Sequence, residues 1–177
     1  MNPGDARSSD LHALPFVAVL ERDFALIRSE CEQLDPEADF IPWPEHAAYS
    51  GVWRVFPLFF PSGPYLPVDV ERNRTRCPET SRILRSLPTL EGAGFSFLGG
   101  RTRVVLHTDH YAPGVVRCHL ALRVPAGARM VLEGRELFWE EGRCLVFDGQ
   151  GVHEAINDSD EPRVVLLADF RTQSGPA

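Results

Sequence analysis

A chain of 177 residues, 44% hydrophobic and 24% charged, has the size and composition of one globular domain with a substantial core. Its net charge of −7 argues against nucleic acid or an anionic membrane surface as the main partner. Residues 1–10 are polar and lack an apolar signal core, and no stretch approaches the roughly 18 apolar residues of a membrane span. Cys31, Cys77, Cys118 and Cys144 are widely spaced and form no Cys-x-x-Cys pair, so a cytoplasmic protein with reduced thiols is expected.

In chain order, residues 1–15 read as a disordered or extended tail and residues 16–172 as a single domain. From Phe16 to Leu34, the residues Val19, Leu20, Phe24, Leu26, Ile27 and Cys31 recur at helical spacing, and Asp35-Pro36 closes one amphipathic helix. Residues 52–60 are strand-like, residues 61–64 a turn, and residues 67–76 a loop. A second helix is predicted to start near Cys77-Pro78, with Pro78 at a first helical position and Ile83, Leu84 and Leu87 on its apolar face. After Gly94 the texture changes to short β-type runs near 94–98, 101–108, 115–124, 128–133, 135–138, 143–147, 151–156 and 162–170, separated by glycine- and proline-containing turns. Two helices followed by many short strands predict a mainly β fold with flanking helices, a double-stranded β-helix of the jelly-roll, cupin-like kind.

Leu106-His107-Thr108-Asp109-His110 stands at the end of an apolar strand. Period-two alternation predicts that His107 and Asp109 project together while His110 points away. His153 follows 46 residues later at the start of another strand. Two imidazoles and one carboxylate on one face of a metal leave positions open for a bidentate cosubstrate and dioxygen. Arg163 lies in the apolar run Val164-Val165-Leu166-Leu167, where a buried guanidinium needs an anion. Arg117 and His119 share one face of the strand 115–124 and imply a polar, anion-attracting interior. By themselves these residues also fit a cupin-like metal protein with different chemistry, a zinc hydrolase, or a non-catalytic β-sandwich binding module.

Several ordered blocks carry a resemblance: His107-Thr108, the run from Arg117 to Pro125, the run from Trp139 to Asp148, His153-Glu154-Ala155-Ile156-Asn157, and Arg163 to Leu167. Upstream, Tyr49-Ser50-Gly51-Val52-Trp53, Cys77-Pro78-Glu79-Thr80 and Gly94 to Leu98 add weaker ones. Over roughly residues 40–170 the chain resembles the aspartyl/asparaginyl β-hydroxylase family. That resemblance implies an oxygenase dependent on Fe(II) and the cosubstrate 2-oxoglutarate. His107 and His153 match the iron-binding histidines, and Arg163 and Ser96 match the residues that hold the far carboxylate of 2-oxoglutarate. His119 matches a histidine at the other end of the cosubstrate, and Arg117 an arginine near cosubstrate and substrate. Two departures stand out. Asp109 replaces the Gly of human-type members and completes a two-histidine, one-carboxylate triad. The stretch from His107 to Arg117 is one residue longer, at the expected substrate mouth. A stand-alone bacterial-type tailoring hydroxylase is therefore expected, acting with O2 on an unactivated carbon of an amino acid, peptide or related carboxylated substrate.

Overall fold

The computed structural model describes residues 11, 13–60, 68–109 and 114–172. A six-stranded antiparallel sheet runs in the order β1 (Ile41–Pro42), β3 (Trp53–Phe59), β4 (Leu90–Leu98), β11 (Arg163–Arg171), β6 (Val115–Arg123) and β9 (Cys144–Phe147). A five-stranded sheet runs β2 (Tyr49–Ser50), β5 (Thr102–His107), β10 (His153–Asn157), β7 (Ala128–Leu132) and β8 (Arg135–Leu137). The strands predicted after Gly94 all occur, within a few residues at their ends. The first of them starts earlier, at Leu90, because Leu90, Gly92 and Ala93 pair with β11 and Ala93 also pairs with β3.

Alternation along the strands builds two cores from one sheet. Leu98, Ala121, Phe147 and Val165 point toward the five-stranded sheet and pack with Val104, Ala128, Met130 and Ala155 from it. Phe95, Cys118, Leu120, Leu166 and Phe170 point the other way, where helices cover them with Phe16, Leu20, Ile27, Ile83 and Leu84. Phe16 stacks flat on Phe170 with ring centroids 3.8 Å apart. The fold is a jelly roll with helices on one face, as the order of elements predicts. All four cysteines are buried free thiols.

Two sequence readings are corrected. The predicted single helix over residues 16–34 is two, α1 (Pro15–Arg22) and α2 (Phe24–Cys31), broken at Asp23. Asp23 leaves helical geometry at φ −94° and ψ 11°, and Arg22 holds its carboxylate. Aspartate favours such boundary positions over helix interiors, and the break lets Leu20 and Ile27 both reach the core. The predicted loop over 67–76 contains α3 (Val70–Arg76). Asp69 caps it by accepting from the Arg72 N–H at 3.0 Å, with Glu71 in its first turn and Arg74 and Arg76 in its last. Only Val70 of this helix is buried, so no apolar period reveals it. The helix is anchored through polar atoms instead: Asn73 Nδ2 donates to the Pro57 carbonyl and Arg74 to that of Leu58. The helix predicted near Cys77 is α4 (Pro78–Arg85), with Pro78 in its first turn. The predicted turn at 61–64, most of the N-terminal tail and His110 lie outside the described residues.

Candidate metal centre

His107 ends β5 and His153 begins β10, and the two are register partners across the five-stranded sheet. Strict alternation would not aim both inward. Thr102 and Val104 face the interior, so His107 by parity would face out. The pairing slips between His153↔His107 and Ala155↔Val104, so that two steps along β10 span three along β5. This bulge at Val105–Leu106 leaves both of those residues exposed and turns His107 back toward His153, ring centroids 4.3 Å apart. Asp109 arrives by a different route from the predicted one. It lies beyond the end of β5, in a turn whose Asp109 N–H donates to the Gly149 carbonyl at 2.8 Å.

The three side chains converge. Asp109 Oδ1 is 3.8 Å from His107 Nε2, and Oδ2 is 3.7 Å from His153 Nε2. One ligand atom from each of the three lies within 4.8 Å of the others. Each histidine spends its other nitrogen on the main chain: His107 Nδ1 bonds the Val105 carbonyl at 2.7 Å and His153 Nδ1 the Gly151 carbonyl at 2.8 Å. A carbonyl accepts only, so both Nδ1 atoms carry the proton and both Nε2 atoms present lone pairs. Burial also holds His153 below the ordinary histidine range, which favours the neutral imidazole that a metal binds. Two nitrogens and one carboxylate are a donor set for a divalent first-row metal.

A chain of buried polar groups leads away from this centre between the sheets. Phe147 packs edge-on to both His153 and His119 at 5.2 Å. His119 lies 6.0 Å from Trp139, and the Arg163 guanidinium sits 4.9 Å over the Trp139 ring. Arg163 is 2% exposed, and among the described residues no carboxylate contacts it. Among the described residues its hydrogen-bond partner is Ser96 Oγ, 3.5 Å from Nη1, which also accepts from Trp53 Nε1 at 3.1 Å. Burial alone pulls Arg163 down to about 9. Burial, together with Arg163, Arg117 and His153, pushes His119 well below the ordinary range, so it is neutral. Arg163 Nε, both ring nitrogens of His119 and Trp139 Nε1 lack hydrogen-bond partners among the described residues. Orphaned buried polar atoms are costly, and four in one region mark a place built to receive a polar molecule.

Arg117 is engaged within the protein. It grips Asp169 at two points, Nε–Oδ1 2.9 Å and Nη2–Oδ2 3.1 Å, and its Nη1 lies 3.0 Å from Asp109 Oδ2. Burial pushes the Asp169 carboxyl up while Arg117 draws it down. The two-point contact with a guanidinium is the firmer indication, and it fixes the ionised form near neutrality. Sequence reasoning did not select Asp169, although a lone acid in an apolar strand, on the same face as Arg163, was a usable signal. Glu154 pairs with Arg103 across β5 and β10. Arg101 and Arg123 are engaged at the surface by Asp160 and Glu161. All seven sequence-predicted site residues thus face the space between the sheets, with the histidine–aspartate cluster at one end and Arg163 and Ser96 deeper along it.

Fold and cluster together define a jelly-roll protein with a candidate metal centre. The family model for aspartyl/asparaginyl β-hydroxylase matches residues 21–173, and the chain belongs to that family. It is 38% identical over 169 residues to human "Aspartate beta-hydroxylase domain-containing protein 2", covering 87% of this chain and 44% of the relative. It is 30% identical over 171 residues to "Ornithine lipid ester-linked acyl 2-hydroxylase" of Rhizobium tropici, covering 91% of this chain and 59% of the relative. The chain therefore spans about half the length of these curated relatives. Among solved structures, a Pseudomonas putida prolyl-4-hydroxylase shares the fold, with a TM-score of 0.53 at 22% identity over 92% of this chain and 90% of that one.

Proposed function

We propose that this domain is an Fe(II)- and 2-oxoglutarate-dependent hydroxylase. A two-histidine, one-aspartate cluster suits several metals, so the observation that carries the reading is Arg163: a fully buried guanidinium with no carboxylate among the described residues, beside a serine hydroxyl that accepts from Trp53 and Arg163 and keeps its own proton to donate. A dianionic keto acid answers both ends of this arrangement. His107, Asp109 and His153 would hold iron; Arg163 and Ser96 would take the far carboxylate. When bound, iron and 2-oxoglutarate supply the oxidising power, dioxygen being reduced as the keto acid is decarboxylated to succinate.

The protein's own residues do the rest. The main-chain carbonyls of Val105 and Gly151 orient the imidazoles. Neutral His119 can place a ring N–H or lone pair beside the cosubstrate without adding charge. Phe147 and Trp139 exclude water along its length. Hydroxylation of an unactivated carbon in an amino acid, peptide or related carboxylated molecule agrees with the family. A second reading of the substrate is an acyl chain like that in the name of the Rhizobium relative, to which the chain is 30% identical over 171 residues.

The test is anaerobic titration of iron-loaded protein with 2-oxoglutarate, following the visible charge-transfer band of the chelate. A band in the wild type that needs much higher cosubstrate in Arg163→Ala is expected. Absence of the band in fully metallated protein would move the function to metal chemistry without 2-oxoglutarate.

A further inference from the structure

Asp169 is 3% exposed, lies on the inner face of β11, and is the register partner of Arg117 on β6. The pair abuts the metal cluster, because Arg117 Nη1 reaches Asp109 Oδ2 at 3.0 Å. The electrostatic consequence is specific. A guanidinium this close to Asp109 would by itself cancel the one negative charge the cluster offers a cation. With Asp169 on the opposite edge of the same guanidinium, the Asp109–Arg117–Asp169 row carries one net negative charge. Nε and Nη2 are committed to Asp169, so Nη1 is left to face Asp109, and the orientation of both groups is fixed by a planar fork between two carboxylates.

We propose that Asp169 is a positioning residue for this centre: held at two points on Arg117, it neutralises the guanidinium lying against Asp109 and so leaves the Asp109 carboxylate available to a divalent cation. The inference rests on the reading of His107, Asp109 and His153 as metal ligands. It also gives Arg117 a role inside the protein, as the link between two carboxylates.

The experiment is calorimetric titration of the full metal-free chain with Co(II), with the Co(II) absorption spectrum as a second readout that does not depend on turnover. Asp169→Asn is expected to weaken Co(II) binding on the order of ten- to a hundredfold, the usual effect of losing an outer partner of a ligand. Asp169→Glu, which keeps the charge, is expected to recover most of it. In an Arg117→Gln background, Asp169→Asn is expected to lose most of its effect, because the charge it offsets is gone. Arg117→Gln alone is expected to bind Co(II) at least as tightly as the wild type, and this arm holds even if Asp169→Asn fails to fold. Asp169→Asn binding like the wild type, an equal loss in both backgrounds, or weakened binding in Arg117→Gln would each overturn the inference. Wild type that binds no Co(II), or binds it undiminished after His153→Ala, would overturn the ligand assignment and the inference together; wild-type binding through the histidines, with Asp169→Asn unchanged, overturns the inference alone.

Discussion

The two faces of the six-stranded sheet are made by the same strands and behave as opposites. Along β6, Cys118, Leu120 and Leu122 turn to the helices, while Arg117, His119 and Ala121 turn to the other sheet. Along β11, Leu166, Ala168 and Phe170 go one way and Arg163, Val165 and Asp169 the other. The helix face is apolar and closely packed, and its contribution is burial. The inner face spends buried positions on a lone guanidinium, a neutral histidine and an ion-paired aspartate, groups that cost stability where they stand without a partner. What the contrast teaches is that stability and chemistry are divided residue by residue, so substitutions one position apart should separate them.

The largest separation is expected from Leu120 and Gly149. Leu120 is fully buried under the helices. Leu120→Ala should cost about 2–5 kcal/mol in urea denaturation while leaving Co(II) affinity of the folded protein within error of the wild type. Gly149→Ala should do the reverse. A Cβ there would stand 2.5 Å from Asp109 Oδ2 and 3.1 Å from Asp109 Cβ. Relieving the contact turns the carboxylate off Arg117 and out of the cluster, and the Asp109 Cβ contact asks only for a shift of a few tenths of an ångström in the two loops. Metal affinity should fall roughly ten- to a hundredfold with only a small change in the urea midpoint. If Gly149→Ala binds metal normally, Asp109 is not held where the cluster needs it.

Much of this division was legible in the sequence, and the rest was hidden for physical reasons. Period-two alternation in the strand 115–124 placed Arg117 and His119 on one face, and the lone charge at Arg163 marked the inner face of β11. The ordered family blocks supplied Ser96, whose small hydroxyl has no signal of its own. Alternation gave no sign of the bulge at Val105–Leu106 that turns His107 inward, because the bulge depends on pairing with β10, a contact between segments far apart in the chain. The convergence of Asp109 depends on a hydrogen bond to Gly149 in another loop. The helix α3 was missed because side chains bonded to carbonyls of β3 hold it in place, and periodicity detects only apolar faces.

The smallest expected effect tests whether the inner face carries a titratable cost in the absence of ligand. His119 is held neutral by burial, with Arg163, Arg117 and His153 adding positive charge around it. Its folded-state value therefore lies below the ordinary value near 6.5 that the unfolded chain has. Below about pH 6.5 the unfolded state takes up a proton that the folded state refuses, so stability falls as the pH is lowered. This one group contributes a slope of up to about 1.4 kcal/mol per pH unit until the folded histidine protonates as well. His119→Gln keeps a planar polar side chain but removes the titration. Urea midpoints of metal-free protein between pH 7 and pH 5 should fall more steeply for the wild type than for His119→Gln. Parallel curves would mean that water or a rearranged neighbour already meets the proton on His119, and the contrast between the two faces would be weaker than the burial of that ring implies.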